Sequence, residues 1–340
     1  MSIKRSVRVF CFFLLTWLLL PSALADIEVH FLDVGQGDSA VIICDGETMM
    51  IDGGQPDRSQ FIFSYLKNTL GLDRIDYVIA THPDSDHIGG LSAALNACTA
   101  GVVYSPTTDN GTKTFQSLLK YTQNQGLDLI VPQAGDCFYL GKAKVDIIAP
   151  VSEYEDENNG SIVLRITYGS ISFLFTGDIE TAAESDIIRT YGSLQSTVLK
   201  ISHHGSESST SNRFLDAVQP QYAVISVGEN SYGHPADDTL KRIFSHGSVV
   251  YRTDENGTII CHSDGDTVFF STEKAAVRSM PVLENEPDTP ARYIGNRNSK
   301  KFHYADCPSV GDMKEKNKVE FSDREEAIDA GYVPCQRCNP

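Results

Sequence analysis

THPDSDHIGG, residues 81–90, sets His82, Asp84, Asp86 and His87 within six positions and ends on two glycines. The preceding IDYVIA (75–80) is an apolar, β-branched run that predicts a buried strand, and IGGLSAALNA (88–97) opens a helix. The cluster therefore falls on the turn leaving a strand's carboxyl end, where open α/β sheets carry their sites. Four such ligands on one turn tolerate one another when a cation neutralises them. A solvated turn in which Asp84 or Asp86 caps the helix at Ile88 is the alternative, but it has no need of two histidines flanking two acids.

Working outward, β-rich runs alternate with amphipathic ones. IEVHFLDV, SAVIIC, TMMIDGG, IDYVIAT, GVVYSP and DLIVP predict strands, while RSQFIFSYLKNTL, IGGLSAALNA and FQSLLKYTQNQ predict helices. A second set of strands follows in KVDIIAP, SIVLRITYG, ISFLFTGD, TVLKISHHG, YAVISVG, SVVYRT, GTIICHS and DTVFFST. Two half-chains, each a sheet with helices, predict two sheets packed face to face with helices outside. The pattern stops near residue 275, and 276–290, rich in proline and acid, reads as a linker. The organisation expected is a leader over 1–25, a large domain over 26–275 and a small module over 291–340.

The leader has Lys4, Arg5 and Arg8 before an apolar run from Val9 to Leu20, then Ala23-Leu24-Ala25 at a cleavage site. Cleavage after Ala25 predicts a secreted protein with no stable membrane span. An uncleaved leader would instead hold it at the outer face of the membrane. Cys11 lies inside the apolar run, which does not fit a lipoprotein anchor. Outside the cell, Cys44, Cys98, Cys137 and Cys261 could be thiols or bridges. The chain carries 28 Lys+Arg against 45 Asp+Glu, a formal net charge of −17. Residues 26–290 alone hold 16 basic and 37 acidic side chains, a balance that repels polyanions at long range. The module, with 9 basic and 8 acidic residues over 291–340, escapes that objection.

THPDSDHIGG resembles the metal motif of the metallo-β-lactamase superfamily, and its Asp84 is similar to the variant in ComEC-like competence hydrolases. The likeness extends through FLDVGQGDSAVI, MMIDGG, NNGSIVLRI, FLFTGD, LKISHHGS and YGHP, in that family's order over residues 27 to about 272. It implies a four-layer αββα sandwich holding two divalent metals, zinc or manganese. It also implies that His82 and Asp84 serve one metal, that Asp86 and His87 begin the second site, and that Asp178 bridges both. The local pattern agrees, because a carboxylate after the apolar ISFLF is costly unless paired or coordinated.

In SHHGS, strand alternation lets only one of His203 and His204 face the metals. The resemblance implies His203, leaving His204 as a supporting or surface residue. Alternation also puts Lys200 on the face opposite His203, where it is solvated or, as a catalytic candidate, meets a substrate phosphate. His234 resembles the family's last active-site histidine, able to ligate, bind phosphate or protonate a leaving group. Asp33 and Asp38 are expected to fix loop geometry, and His30, His246 and His262 to be structural or exposed. One departure stands out: no histidine occurs from residue 88 to 202, where many members carry a ligand. Asn158, Asn159 and Ser161 occupy that region, as in the ComEC-like branch.

Carboxylate in place of imidazole hardens the donor set, which admits manganese beside zinc and suits phosphoryl chemistry. The expected function is a secreted metal-dependent phosphodiesterase or nuclease acting on DNA, with Asp86, His234 and Lys200 at the chemistry. Hydrolysis of β-lactams, lactones or cell-wall phosphodiesters is the alternative, as is a non-catalytic DNA-capturing accessory. In the module, His303-x3-Cys307 and Cys335-x2-Cys338 have zinc spacing, and a unit of this size needs such a staple. It resembles the Ada-type metal-binding domain, with His303 where that family often has a cysteine, and implies one structural zinc in a small α+β fold. A disulfide from Cys335 to Cys338 or Cys307 is the other reading. Arg292, Arg297, Lys300 and Lys301 could contact DNA or a cell surface, or merely solubilise the module.

Overall fold

In IEVHF, Ile27, Val29 and Phe31 point to one side and His30 to the other, so a single strand already separates two layers. The computed structural model describes residues 27–274 and 293–340 apart from Asp306, Asp323 and Asn339. The expected leader, the linker 276–290 and Arg292 lie outside the described residues.

Six strands come first: β1 (Ile27–Phe31), β2 (Ala40–Cys44), β3 (Glu47–Ile51), β4 (Arg74–Ile79), β5 (Thr99–Tyr104) and β6 (Leu129–Ile130). Seven more build a second sheet: β7 (Cys137–Leu140), β8 (Ala143–Ala149), β9 (Val163–Tyr168), β10 (Ile171–Phe175), β11 (Val198–Lys200), β12 (Tyr222–Ile225) and β13 (Val249–Arg252). β14 (Ile259–Ser263) and β15 (Val268–Thr272) return to the first sheet, whose order is β15-β14-β1-β2-β3-β4-β5-β6. The second sheet runs β13-β12-β11-β10-β9-β8-β7. Each sheet joins an antiparallel meander to a parallel run, β3 to β6 in one and β10 to β13 in the other.

The inner faces meet in one core. Val29, Phe31, Ile42 and Met49 pack against Val145, Leu164, Phe173 and Phe175, with the Phe31 and Phe175 rings stacked at 5.7 Å. Outside the first sheet lie α1 (Ser59–Ser64), α3 (Leu91–Ala97) and α4 (Lys113–Asn124), with the short α2 (Ser85–Ile88) between α1 and α3 in the chain. Outside the second lie α5 (Thr181–Tyr191), α6 (Asn212–Val218) and α7 (Asp237–Ser245). This is the four-layer αββα sandwich. The sequence reading left out β7 and these three helices, and it ran one strand through His204, whereas β11 stops at Lys200.

The module folds around β16 (Tyr293–Asn296), β17 (Lys301–Tyr304), β18 (Lys318–Phe321) and β19 (Val333–Pro334), in the order β18-β16-β17-β19. Its core is small: Tyr293, Phe302, Tyr304, Phe321, Ala327 and Tyr332. Among the described residues no helix is long and apolar enough to cross a membrane.

Candidate metal centre

The apolar strand β4 ends at Ile79 and delivers Thr81 and His82 to the carboxyl edge of the first sheet. α2 then begins at Ser85 with Asp84 at its N-cap position, and the Asp84 side chain makes no capping bond, so it is left for other work. The two glycines have a steric cause. A Cβ on Gly90 would collide with the Gly53 carbonyl oxygen, and one on Gly89 with the Pro56 nitrogen. The bare turn packs directly on DGG (52–54), where Gly53 N donates to His87 O at 2.6 Å and Gly90 N to Gly54 O at 3.1 Å. That contact carries Asp52 under the motif. Its carboxylate accepts from Thr81 N at 2.9 Å and the Thr81 hydroxyl at 2.6 Å, and sits 2.8 Å from His87 Nδ1. With Nδ1 so engaged, His87 turns Nε2 towards Asp178, 3.2 Å away.

Asp178 follows β10 and comes from the opposite sheet. Its backbone N–H donates to Ser161 Oγ at 3.2 Å, and its side chain is 4% exposed. Asn159, two residues earlier, accepts from Glu180 N and Ala183 N at the start of α5. The stretch with no histidine thus orients a carboxylate and caps a helix.

At SHHGS the alternation argument fails. After β11 the chain enters a tight turn over Ser202–Gly205, with His203 and His204 both left-handed at φ 51° and 52°. Consecutive side chains in that conformation need not oppose each other, and both imidazoles reach Asp178. His204 Nε2 lies 3.6 Å from Asp178 and 3.3 Å from Asp86, while its Nδ1 pairs with Ser226 O at 3.0 Å. His203 Nε2 is 3.9 Å from Asp178, its Nδ1 is 3.4 Å from Glu180, and its side chain is 23% exposed. His82 Nε2 stands 3.7 Å from Asp84 and 4.0 Å from Asp178.

One donor atom each from Asp38, His87, Asp178 and His204 lies within 4.8 Å of the others, and all four residues are buried. His82 Nε2, His87 Nε2, His204 Nε2, Asp38 Oδ1 and Asp178 Oδ1 are buried with no hydrogen-bond partner among the described residues. Each such orphan costs about 1–3 kcal/mol, and the three imidazole Nε2 atoms lie around Asp178, so a divalent cation fits as their missing partner. The electrostatics agree. Burial opposes a proton on His204, yet Asp178 and contacts with Asp38 and Asp86 hold its pKa up at about 9. Burial likewise opposes a charge on His87, but Asp178 and Asp52 raise its pKa well above the ordinary value. Asp178 is pushed up by burial and down, decisively, by His87 and His204. Bound cation and bound protons are therefore alternative ways of balancing the same carboxylates.

Lys200 is not on a solvated face. Its ammonium is buried, 2.8 Å from Asp38 Oδ2 and 2.9 Å from Ile201 O, which removes it from the open side of the site. His234 stands at that open side, its ring 5.5 Å from that of His203. Burial, then the neighbouring His203 and His204, lower its pKa, so it is neutral at pH 7. Sequence reasoning missed Asp52, Glu180 and Ser226 and gave Asp38 only a loop role; an acid directly after the apolar TMMI was the available signal. Asp33 does shape its loop, accepting from Gly35 N at 3.3 Å. His30 pairs with Tyr65, His246 with Asp216, and His262 with Glu28, all apart from this cluster.

In the module, His303 on β17, Cys307, Cys335 and Cys338 offer donors within 4.8 Å of one another. Cys307 Sγ is 3.5 Å and Cys338 Sγ 4.0 Å from His303 Nδ1. All seven described cysteines are unbridged thiols. Such a closed N/S set suits a structural divalent metal.

A family model described as the metallo-beta-lactamase superfamily matches residues 32–229, and one described as the metal binding domain of Ada matches 282–340. The chain is 30% identical over 258 residues to ComE operon protein 3 of Bacillus subtilis (strain 168), covering 70% of this chain and 33% of that one. It is 31% identical over 249 residues to Competence protein ComA of Neisseria gonorrhoeae, again covering 70% and 33%. The chain thus spans about a third of the length of these curated relatives. Among solved structures it is similar to the metallo-beta-lactamase fold protein YhfI from Bacillus subtilis, with 15% identity over 66% of this chain and 95% of that one and a TM-score of 0.45.

Proposed function

The chain belongs to the metallo-β-lactamase superfamily, and from that premise we propose that it is a metal-dependent phosphodiesterase acting on nucleic acid. The observation that carries this reading is the oxygen-rich donor set: Asp38, Asp84, Asp86 and Asp178 surround His82, His87 and His204. No histidine between residues 88 and 202 softens it. Hard donors suit manganese or zinc in phosphoryl chemistry. The word competence in a relative's name supports DNA as the substrate, and the leader read in the sequence supports action outside the cell.

His87, Asp86, Asp178 and His204 would hold one cation, and His82 and Asp84, with Asp178 shared, a second. Cations held there supply a nucleophile at neutral pH and Lewis-acid polarisation of the scissile group. The chain's own residues do the rest. Asp52 and Ser226 fix the tautomers of His87 and His204, and Ser161 orients Asp178. Lys200 balances the Asp38 charge from below. His203 and His234, on the open side, hydrogen-bond the phosphoryl oxygens, and water protonates the leaving oxygen. The module, with its zinc-type donor set, holds DNA or a cell surface.

The test is hydrolysis of single-stranded DNA and of bis-p-nitrophenyl phosphate by the purified protein with added zinc or manganese. Both are expected to be cleaved. If both stay intact while a β-lactam or a lactone is opened, the phosphodiesterase reading is wrong; the acidity of residues 26–290, 16 basic against 37 acidic, favours that second reading.

A further inference from the structure

Beside His234 a groove of about 890 Å³ opens to solvent, and Tyr232 forms one wall. Tyr232 is 75% exposed, the most exposed large apolar side chain among the described residues. Its loop is braced: Asn230 Oδ1 accepts from Tyr232 N and His234 N, each at 3.0 Å, and Asn230 Nδ2 donates to Gly228 O and His234 O. The ring is therefore presented on a fixed backbone, its centroid 5.7 Å from that of His234 and its plane inclined 30° to it. Glu207, Asp237 and Asp238 line the same groove, and the one lysine there, Lys241, is engaged by Asp238 at 3.0 Å. Such a lining repels a second phosphate, whereas its carboxylates accept from the amino groups of bases.

Resting on the phosphodiesterase reading, we propose that Tyr232 is a stacking platform for one unpaired nucleobase next to the scissile phosphate, so that the substrate is a single-stranded or frayed nucleic acid. A flat aromatic face stacks any base, which grips a nucleotide without reading sequence. A duplex keeps its bases internally stacked and does not offer one to the groove.

The experiment compares wild type, Tyr232→Ala and Tyr232→Phe, metal-loaded, on a deoxycytidine dinucleotide and on its analogue with an abasic sugar on the groove side. Tyr232→Ala is expected to raise KM for the dinucleotide roughly 5- to 150-fold with kcat little changed. It should leave the abasic substrate unaffected, and Tyr232→Phe should restore wild-type behaviour. If Tyr232→Ala shifts both substrates equally, or neither, the stacking role is wrong and the phosphodiesterase reading stands. If wild type cleaves neither dinucleotide, abasic analogue nor bis-p-nitrophenyl phosphate, that reading fails and takes the stacking role with it.

Discussion

At the scale of single residues, His203 and His204 carry the sharpest distinction. His204 is buried, with Nδ1 on Ser226 O and Nε2 unpartnered against Asp86 and Asp178. His203 is partly exposed and leans on Glu180. His204→Ala is therefore expected to lose bound metal, measured by elemental analysis after dialysis, while His203→Ala keeps it and lowers kcat. The reverse pattern would return the ligand role to His203. Lys200→Met, which removes a buried positive charge from beside Asp38, should strengthen metal affinity, because that charge no longer opposes a bound cation. An unchanged affinity would make the ion pair irrelevant to the site. Protonation supplies a further test. The neighbouring carboxylates keep His204 protonated up to about pH 9 and His87 above its ordinary range, so metal must displace protons. Apparent metal affinity should rise with pH towards about 9, and calorimetry in two buffers of different ionisation enthalpy should register proton release. Buffer-independent heats would count against both assignments.

Among the secondary-structure elements, the loop after the tight turn is clamped from two helices. Glu184 of α5, buried, accepts from Thr210 N and Ser211 N, and Arg242 of α7 donates to Thr210 O and Ser209 O. Burial raises the Glu184 carboxyl from 4.5 to about 7, overriding its hydrogen bonds and Arg242. Between those values the native state binds more protons than the unfolded chain. The contribution of Glu184 is thus complete below about pH 4.5 and is lost as pH rises through about 7. Chemical denaturation of wild type should show this loss, and Glu184→Gln should flatten it; an identical slope in the variant would place the dependence elsewhere. The elements themselves were unequally legible. Strands such as IEVHF and ISFLF announce themselves by alternation or by a short run rich in β-branched and aromatic residues, and the glycines of HIGG and DGG mark close approach. The left-handed turn at His203 and His204 had no such mark, since Gly205 follows it and positive φ is uncommon for any residue but glycine. α5 was missed because the buried Glu184 interrupts its apolar stripe.

For the molecule as a whole, the two donor sets differ in what they support. The module's apolar core is small, so removing metal from His303, Cys307, Cys335 and Cys338 should unfold it while the αββα sandwich, with its continuous core between two sheets, persists. Circular dichroism with and without chelator would show two separable transitions; a single one would mean the module does not depend on its metal. Deleting residues 293–340 should lower DNA affinity and flatten its salt dependence, because the sandwich domain is strongly acidic. The ligand spacing of the module was plain in the sequence, whereas its four-stranded sheet was not, because strands of two to four residues carry too few positions for a period to emerge. The most direct measurement is metal content together with cleavage of single-stranded DNA, for wild type and Asp178→Ala. The prediction is two divalent cations in the sandwich besides the module's one, with both lost along with cleavage in Asp178→Ala. A fully metallated wild type that leaves DNA intact, or an Asp178→Ala variant that still cuts it, would contradict a phosphodiesterase built on this site.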